Sequence, residues 1–196
     1  MPKISADSVA EHVAHQEALV FDTALRLFIG RGYSHVTLGD IAEAVGLKRN
    51  SLYRYFPSKA HILVRWFRTE LPAQAAQSAE VLSGTGSPLE RIVRWAECQL
   101  DYALRPEHTL IAALSDIAPE LDAATRAELA SSHQQLMAPL RHTLAEAGVT
   151  DPAALDAAVE LIGGIVLGAA QREARVGRDE VARNQVAGAI GGLLSA

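Results

Sequence analysis

The chain is nearly devoid of cysteine. Cys98 is alone among 196 residues, so no disulfide can close within the chain and a cytoplasmic setting is expected. Aromatic residues make up only 5%. Alternating runs of Val, Ile and Thr are nearly absent, which argues against β-sheet. No Cys/His spacing suits a metal ion, and no Ser/His/Asp or Cys/His arrangement suggests a nucleophile and its base. Gly84-Thr85-Gly86 lies in a short linker with no strand before it, so it is a poor phosphate loop. An enzyme is therefore not expected, and neither is a metal or a cofactor. The N-terminus, Met1-Pro2-Lys3-Ile4-Ser5, has no long apolar run behind its Lys and is not expected to be a signal peptide. The longest weakly polar stretch, Leu161 to Ala170, is shorter than the roughly 20 residues that span a bilayer, so no membrane partner is expected.

What is present points to helices. The composition is 49% hydrophobic and 21% charged, ordinary for a globular protein, and Ala and Leu are abundant. The net charge of −5 argues at first against a nucleic-acid partner. Its distribution argues the other way. Arg26 to Arg68 carries eight Lys/Arg against two acids, Asp40 and Glu43, whereas Thr69 to Ala196 carries nine Arg against seventeen acids. A basic block joined to an acidic remainder suits one nucleic-acid face on a solvated body. Scattered surface charge is the alternative.

The periodicity predicts a first helix from about Asp7 or His15 to Gly30, with Ala18, Phe21, Leu25 and Phe28 on one stripe. Thr37, with Asp40 three residues on, reads as a capping box for a short helix ended by Gly46. A second short helix covers about Arg49 to Tyr55. Ser58 opens a longer one, Lys59 to Leu82, which Pro72 should kink or split. Ser83 to Pro88 is the clearest linker. Helices are then expected from Leu89 to Leu104, from Pro106 to Leu114, from Glu120 to Ala147 with a bend at Pro139, from Asp151-Pro152 to Val176, and from Asp179 to Leu194.

The informative segment is Thr37 to Phe56. Two short helices flank a turn containing Gly46, as a helix-turn-helix requires. Ile41 and Val45 face the core, Ala42 permits close crossing, and Leu52 and Phe56 close the core from the second helix. The opposite face carries Arg49, Asn50, Ser51, Tyr53, Arg54 and Tyr55, donors and acceptors suited to base edges and phosphates. Tyr53 suits packing in the small core as well, and Arg54 suits simple solvation.

The pattern resembles the N-terminal domain of the TetR family of bacterial transcription regulators. The residues that carry the resemblance are Ala24-Leu25, Leu27-Phe28, Gly32-Tyr33, Thr37, Ile41-Ala42, Ala44-Val45-Gly46, Leu52-Tyr53, Tyr55-Phe56 and Ser58-Lys59, within about residues 18 to 66. The resemblance implies an all-α protein of about nine helices: a three-helix DNA-binding domain over residues 1–60, then a larger effector-binding and dimerisation domain over 61–196. It implies a ligand-responsive repressor that binds a palindromic operator as a homodimer and is released by a small molecule. Thr37 would cap the first motif helix and touch phosphate. Asn50, Ser51 and Tyr53 would enter or edge the major groove, and Tyr55 and Lys59 would hold the DNA backbone. Lys48 stands where a Ser or Thr commonly begins the second motif helix, so it loses a cap and gains a charge able to meet phosphate. Asn50 stands where Gly is common.

The last two long helices would form the dimer bundle. Leu155, Val159, Ile162, Val166 and Leu167 form one apolar stripe, and Val181, Val186, Ile190, Leu193 and Leu194 another. Gly163, Gly164 and Gly168 interrupt the first, which suggests close helix approach. Packing within one subunit is the alternative. By the same resemblance the middle helices would hold an effector, with Trp95, Cys98, Gln99, Tyr102, His108, His133 and Met137 as candidates beside Leu114 and Leu136. A Trp or Met at helical spacing is core more often than ligand contact, and Cys98 suits a buried small hydrophobe. The helix from Lys59 to Leu82 joins the two regions and is the natural lever between them.

Overall fold

The computed structural model describes residues 6–195, and among these it contains nine α-helices and no strand. The helices are α1 (Ala6–Arg31), α2 (Leu38–Ala44), α3 (Arg49–Leu52), α4 (Lys59–Leu82), α5 (Pro88–Ala103), α6 (Thr109–Ile117), α7 (Ala123–Glu146), α8 (Pro152–Val176) and α9 (Glu180–Leu194). Their starts follow the capping chemistry in the sequence. Thr37 and Ser87 each close a reciprocal capping box, with Asp40 and Glu90 respectively. Asp122, Asp151 and Asp179 accept backbone N–H groups at the starts of α7, α8 and α9.

Four points differ from expectation, one being α6, which follows a separate 3₁₀ turn at Pro106–His108 and runs over Thr109–Ile117 instead of Pro106 to Leu114. The second motif helix is α-helical only to Leu52 and continues as turns through Tyr55. Helix α7 begins at Ala123, because Ala118–Glu120 is a separate 3₁₀ turn and Asp122 supplies the cap. Pro72 does not split α4, which runs unbroken through it. Pro72 is exposed, so its ring meets solvent, and it removes one amide donor from the ladder without ending the helix.

The chain forms two compact units that are not contiguous in sequence. Instead of a division at residue 60, the first unit runs to Arg68 and recruits Thr109–Leu121, and the second holds Thr69–His108 and the chain from Asp122 onward. The change of unit within α4 falls one turn before Pro72.

In the first unit, Ala24 and Phe28 of α1, Ile41 and Ala42 of α2, Leu52 of α3, and Ile62, Leu63 and Trp66 of α4 are buried. Phe56 stacks near Phe21, with ring centroids 6.3 Å apart, and the Arg65 guanidinium lies over both rings. Leu110, Leu114 and Ile117 of α6 are buried as well, and α6 packs against α1. Leu114 therefore belongs to this unit rather than to the effector region where the sequence placed it.

In the second unit, α5 lies against α7, α8 and α9. Trp95 and Leu100 of α5, Leu140 and Leu144 of α7, Ile162 and Val166 of α8, and Val186 and Ile190 of α9 share one core. An ion triad, buried at Arg183 and Glu173 and exposed at Asp101, ties three of these helices. Arg183 of α9 donates two hydrogen bonds of 2.8 Å to the Glu173 carboxylate on α8, and one of 2.7 Å to Asp101 on α5. Glu173 is only 4% exposed. The Leu161–Ala170 stretch is too short to span a bilayer, but α8 as a whole is long and apolar enough to cross one by length and composition. Here it packs in the bundle, with Asp156 paired to Arg141 and Glu173 to Arg183.

Part of α8 and α9 stays uncovered within the chain. Leu161 is 52% exposed and Val181 68%. Close approach at the glycines does not occur within the subunit: a Cβ placed on Gly163, Gly164, Gly168, Gly188 or Gly192 would meet nothing within 4 Å.

Candidate nucleic-acid interface

The motif is fixed at both ends of α2. Thr37 Oγ1 accepts the Asp40 amide at 3.2 Å, and the Thr37 amide donates to Asp40 Oδ2 at 2.7 Å. The Thr37 hydroxyl also donates to Asp40 Oδ2 at 2.5 Å, and this bond, with that from the Thr37 amide, holds the Asp40 carboxyl below the usual carboxylate range. At the other end Leu47 N–H donates to Ala42 O at 2.8 Å and Gly46 N–H to Glu43 O at 3.1 Å. This is the paired closure of a Schellman turn, and it puts Gly46 at φ 69°, a value that glycine adopts without steric cost. Lys48 then begins α3 without a side-chain cap, as its lack of a hydroxyl requires.

Leu52 is fully buried, so the rest of α3 is turned outward. Lys48, Arg49, Asn50, Tyr53 and Arg54 are exposed, while Ser51 and Tyr55 are half-buried. None of these side chains makes a hydrogen bond or ion pair among the described residues. Tyr53 is 43% exposed, which removes the alternative that it packs in the core. The result is a row of donors, two aromatic phenols and three cations on one side of a rigid three-helix support, opposite a single buried leucine.

Lys59 is placed differently from this row. Its Nζ donates to Tyr33 O at 2.8 Å and Val36 O at 3.1 Å, and it lies 4.2 Å from the centre of the Tyr33 ring. Desolvation lowers its pKa while Glu120 opposes the shift. Tyr33 is half-buried, and burial together with Glu120 pushes its phenol up to about 12. These groups line an open groove of about 480 Å³ within the first unit, with Asp116 and Glu120 on its other side. Lys59 thus staples the Tyr33–Val36 turn to the start of α4, directly before Thr37.

Comparison with known proteins matches this segment. Residues 20–65 fit the family model described as bacterial regulatory proteins, tetR family. The transcriptional repressor KstR2 of Mycobacterium tuberculosis is 31% identical over 86 residues, which is 44% of this chain and 43% of that protein. The biofilm operon negative regulator IcaR of Staphylococcus aureus is 46% identical over 43 residues, 22% of this chain and 23% of its own. The solved structure of the M. tuberculosis ketosteroid regulator KstR2 superposes with a TM-score of 0.66 at 21% identity, covering 92% of this chain and 93% of that one. Over residues 20–65 the chain is similar to the TetR family. Its sequence matches span less than half the length of these curated relatives, and the wider likeness is one of fold. The relatives are transcription regulators, not enzymes.

The effector candidates chosen from the sequence scatter. Trp95 is buried and Gln99 half-buried, and both donate to one hydroxyl, Ser78 Oγ, at 3.1 and 3.4 Å. Tyr102 and His108 meet edge to face at 5.5 Å, and burial lowers the His108 pKa. Met137 packs against the core that holds Trp95. His133 is exposed. Cys98 faces a separate open groove of about 580 Å³ with Glu80, Arg94 and Glu97, and burial with the nearby Asp101 and Glu97 raises its thiol pKa. Gln74 and Ser78 were not anticipated from the sequence. Their signal was two polar residues four apart on the α4 stripe that faces Trp95 and Gln99.

Proposed function

We propose that the chain is an operator-binding transcription repressor that acts in the cytoplasm as a two-fold homodimer and is released by a small molecule. The observation that carries this is the outward row Lys48, Arg49, Asn50, Ser51, Tyr53, Arg54 and Tyr55 on α3 and the turns after it, unengaged within the described residues and backed by buried Leu52. Phosphate contacts from Lys48, Arg49 and Thr37 would set the register on the duplex. Base contacts from Asn50, Ser51 and Tyr53 would set sequence preference. Lys59 serves the face from behind, by fixing the turn that leads into Thr37.

The uncovered α8–α9 face supports the dimer. Gly164 and Gly168, and likewise Gly188 and Gly192, are four apart on exposed stripes beside Leu167 and Val181. Small residues at that spacing let helices of two subunits approach closely. A two-fold dimer that reads a palindrome needs its two α3 faces about 34–36 Å apart, one turn of DNA. For the effector, the region around Trp95, Gln99, Tyr102, His108 and Met137 is the proposed site, with Cys98 and His133 at its margins.

The test is a gel shift on DNA flanking the chain's own gene. Wild-type protein should retard a palindrome-containing fragment. Tyr53→Ala and Asn50→Ala should each cost about 1–3 kcal/mol on that fragment and little on random DNA. Equal retardation of both fragments by all three proteins would sink the proposal.

A further inference from the structure

We infer that the seam between α4 and α5 in the second unit is the polar end of the effector site, and that it selects an uncharged, largely apolar ligand bearing a hydroxyl group. The inference rests on the effector proposal above, and deepens it by naming the ligand's chemistry.

Three polar side chains meet in this seam, Ser78 of α4 with Trp95 and Gln99 of α5, and the buried Gln74 lies one turn before Ser78 on α4. Trp95 and Gln99 lie one turn apart on α5. Ser78 is only 1% exposed. Its oxygen already accepts two hydrogen bonds, from Trp95 Nε1–H and Gln99 Nε2–H. A hydroxyl has two acceptor sites and one donor, so its accepting capacity is full. Its own proton has no acceptor among the described residues. Gln74 is 8% exposed, and its Oε1 is buried without a partner. The seam therefore holds one unused donor, Ser78 O–H, and one unused acceptor, Gln74 Oε1, a turn apart on the same helix. Such groups are rare in interiors because each forfeits its solvation. Ser78 of α4 meets Trp95 and Gln99 of α5 through side chains.

The unused pair decides the ligand's polar group. That group must donate to Gln74 and accept from Ser78. A carboxylate only accepts and would set its oxygens against Gln74 Oε1. An ammonium only donates and would leave the Ser78 proton unmatched. A ketone accepts but gives nothing to Gln74. A hydroxyl does both at one atom. The charged groups nearby do not favour one sign. Glu70, one turn before Gln74 on α4, acts on the Tyr102 phenol, and Arg105 lies over the Tyr102 ring at 5.6 Å. The apolar part of the ligand would lie against the Trp95 indole, which continues into the core.

The test uses the full-length protein and four molecules with the same eight-carbon body: octan-1-ol, 2-octanone, octanoate and octylammonium. The readout is the Trp95 indole N–H resonance, since that proton bonds to Ser78. Trp66, buried in the other unit, is the internal control. Octan-1-ol should shift the Trp95 signal saturably and bind about tenfold tighter than the other three. Gln74→Leu and Ser78→Ala should each bring the alcohol down to the level of the ketone. Gln74→Leu removes an unpaired buried amide, so it should fold at least as well as wild type. Tighter or equal binding of 2-octanone, octanoate or octylammonium overturns the inference. So does an alcohol preference that survives both substitutions, or no shift with any of the four. A saturable Trp95 shift by octan-1-ol that leaves operator retardation unchanged supports the hydroxyl site and overturns the effector proposal instead.

Discussion

Two lysines that look alike in the sequence face different tasks. Lys48 is exposed and makes no side-chain bond among the described residues, whereas Lys59 spends two of its three N–H donors on Tyr33 O and Val36 O. The salt dependence of operator binding separates them. Each phosphate contact contributes about 0.9 to the slope of log K against log salt. Lys48→Ala should flatten that slope by about 1 and leave folding stability unchanged. Lys59→Met should leave the slope nearly unchanged and lower stability to urea by about 1–2 kcal/mol, because it removes hydrogen bonds from a charged donor to main-chain carbonyls. It should also weaken operator binding, because Thr37 and α2 follow directly on the turn that Lys59 secures. A slope reduced by a full unit in Lys59→Met would assign that residue to phosphate after all. The sequence could not separate the two lysines, since Lys59's partners are carbonyls 23 and 26 residues away and carry no side-chain signature.

At the scale of elements, what was legible was what local chemistry controls. Thr37 with Asp40, Asp151 with Pro152, and Gly46 at its positive φ all act within a few residues, and the helix ends fall where they direct. What was not legible required contacts between distant segments. The triad of Asp101, Glu173 and Arg183 joins α5, α8 and α9, and each member looks like ordinary surface charge in its own helix. Its consequence is a defined acid sensitivity. Arg183 holds the Glu173 carboxyl below its ordinary value near 4.5. A carboxyl whose folded pKa is depressed adds stability that is fully present above the unfolded value and lost as pH falls through the folded one. The midpoint of thermal unfolding should therefore be insensitive to this pair from pH 8 down to about 5, then drop below about 4.5. Glu173→Ala strands a buried guanidinium beside Asp101 alone and should cost about 3–5 kcal/mol at pH 7. In that variant the part of the acid-dependent drop due to Glu173 should vanish. An acid profile identical to wild type would remove Glu173 from the account.

For the whole molecule, neither unit is a single stretch of sequence. Thr109–Leu121 folds with the first unit although the surrounding chain belongs to the second. Hydrophobic spacing shows that α6 has an apolar face, but it does not show which core receives that face, and Leu114 is buried in the first unit. The glycines of α8 and α9 pose the same question between subunits. In an isolated helix Gly164 and Gly168 cost about 1 kcal/mol each relative to alanine, and within this chain nothing approaches them to compensate. If a second copy supplies the compensating contact, folding and assembly should respond in opposite directions to filling that space. Gly164→Leu combined with Gly168→Leu should raise the stability of the isolated subunit, since leucine favours helix and meets no clash within the chain. The same pair should convert the dimer to monomer in sedimentation equilibrium, because four extra side chains would then meet across the two-fold axis. Operator retardation should fall with it, as a lone subunit holds one half-site. A double variant that stays dimeric would place the subunit interface elsewhere, and the two-fold spacing of the α3 faces would have to be derived again from whichever surface replaced it.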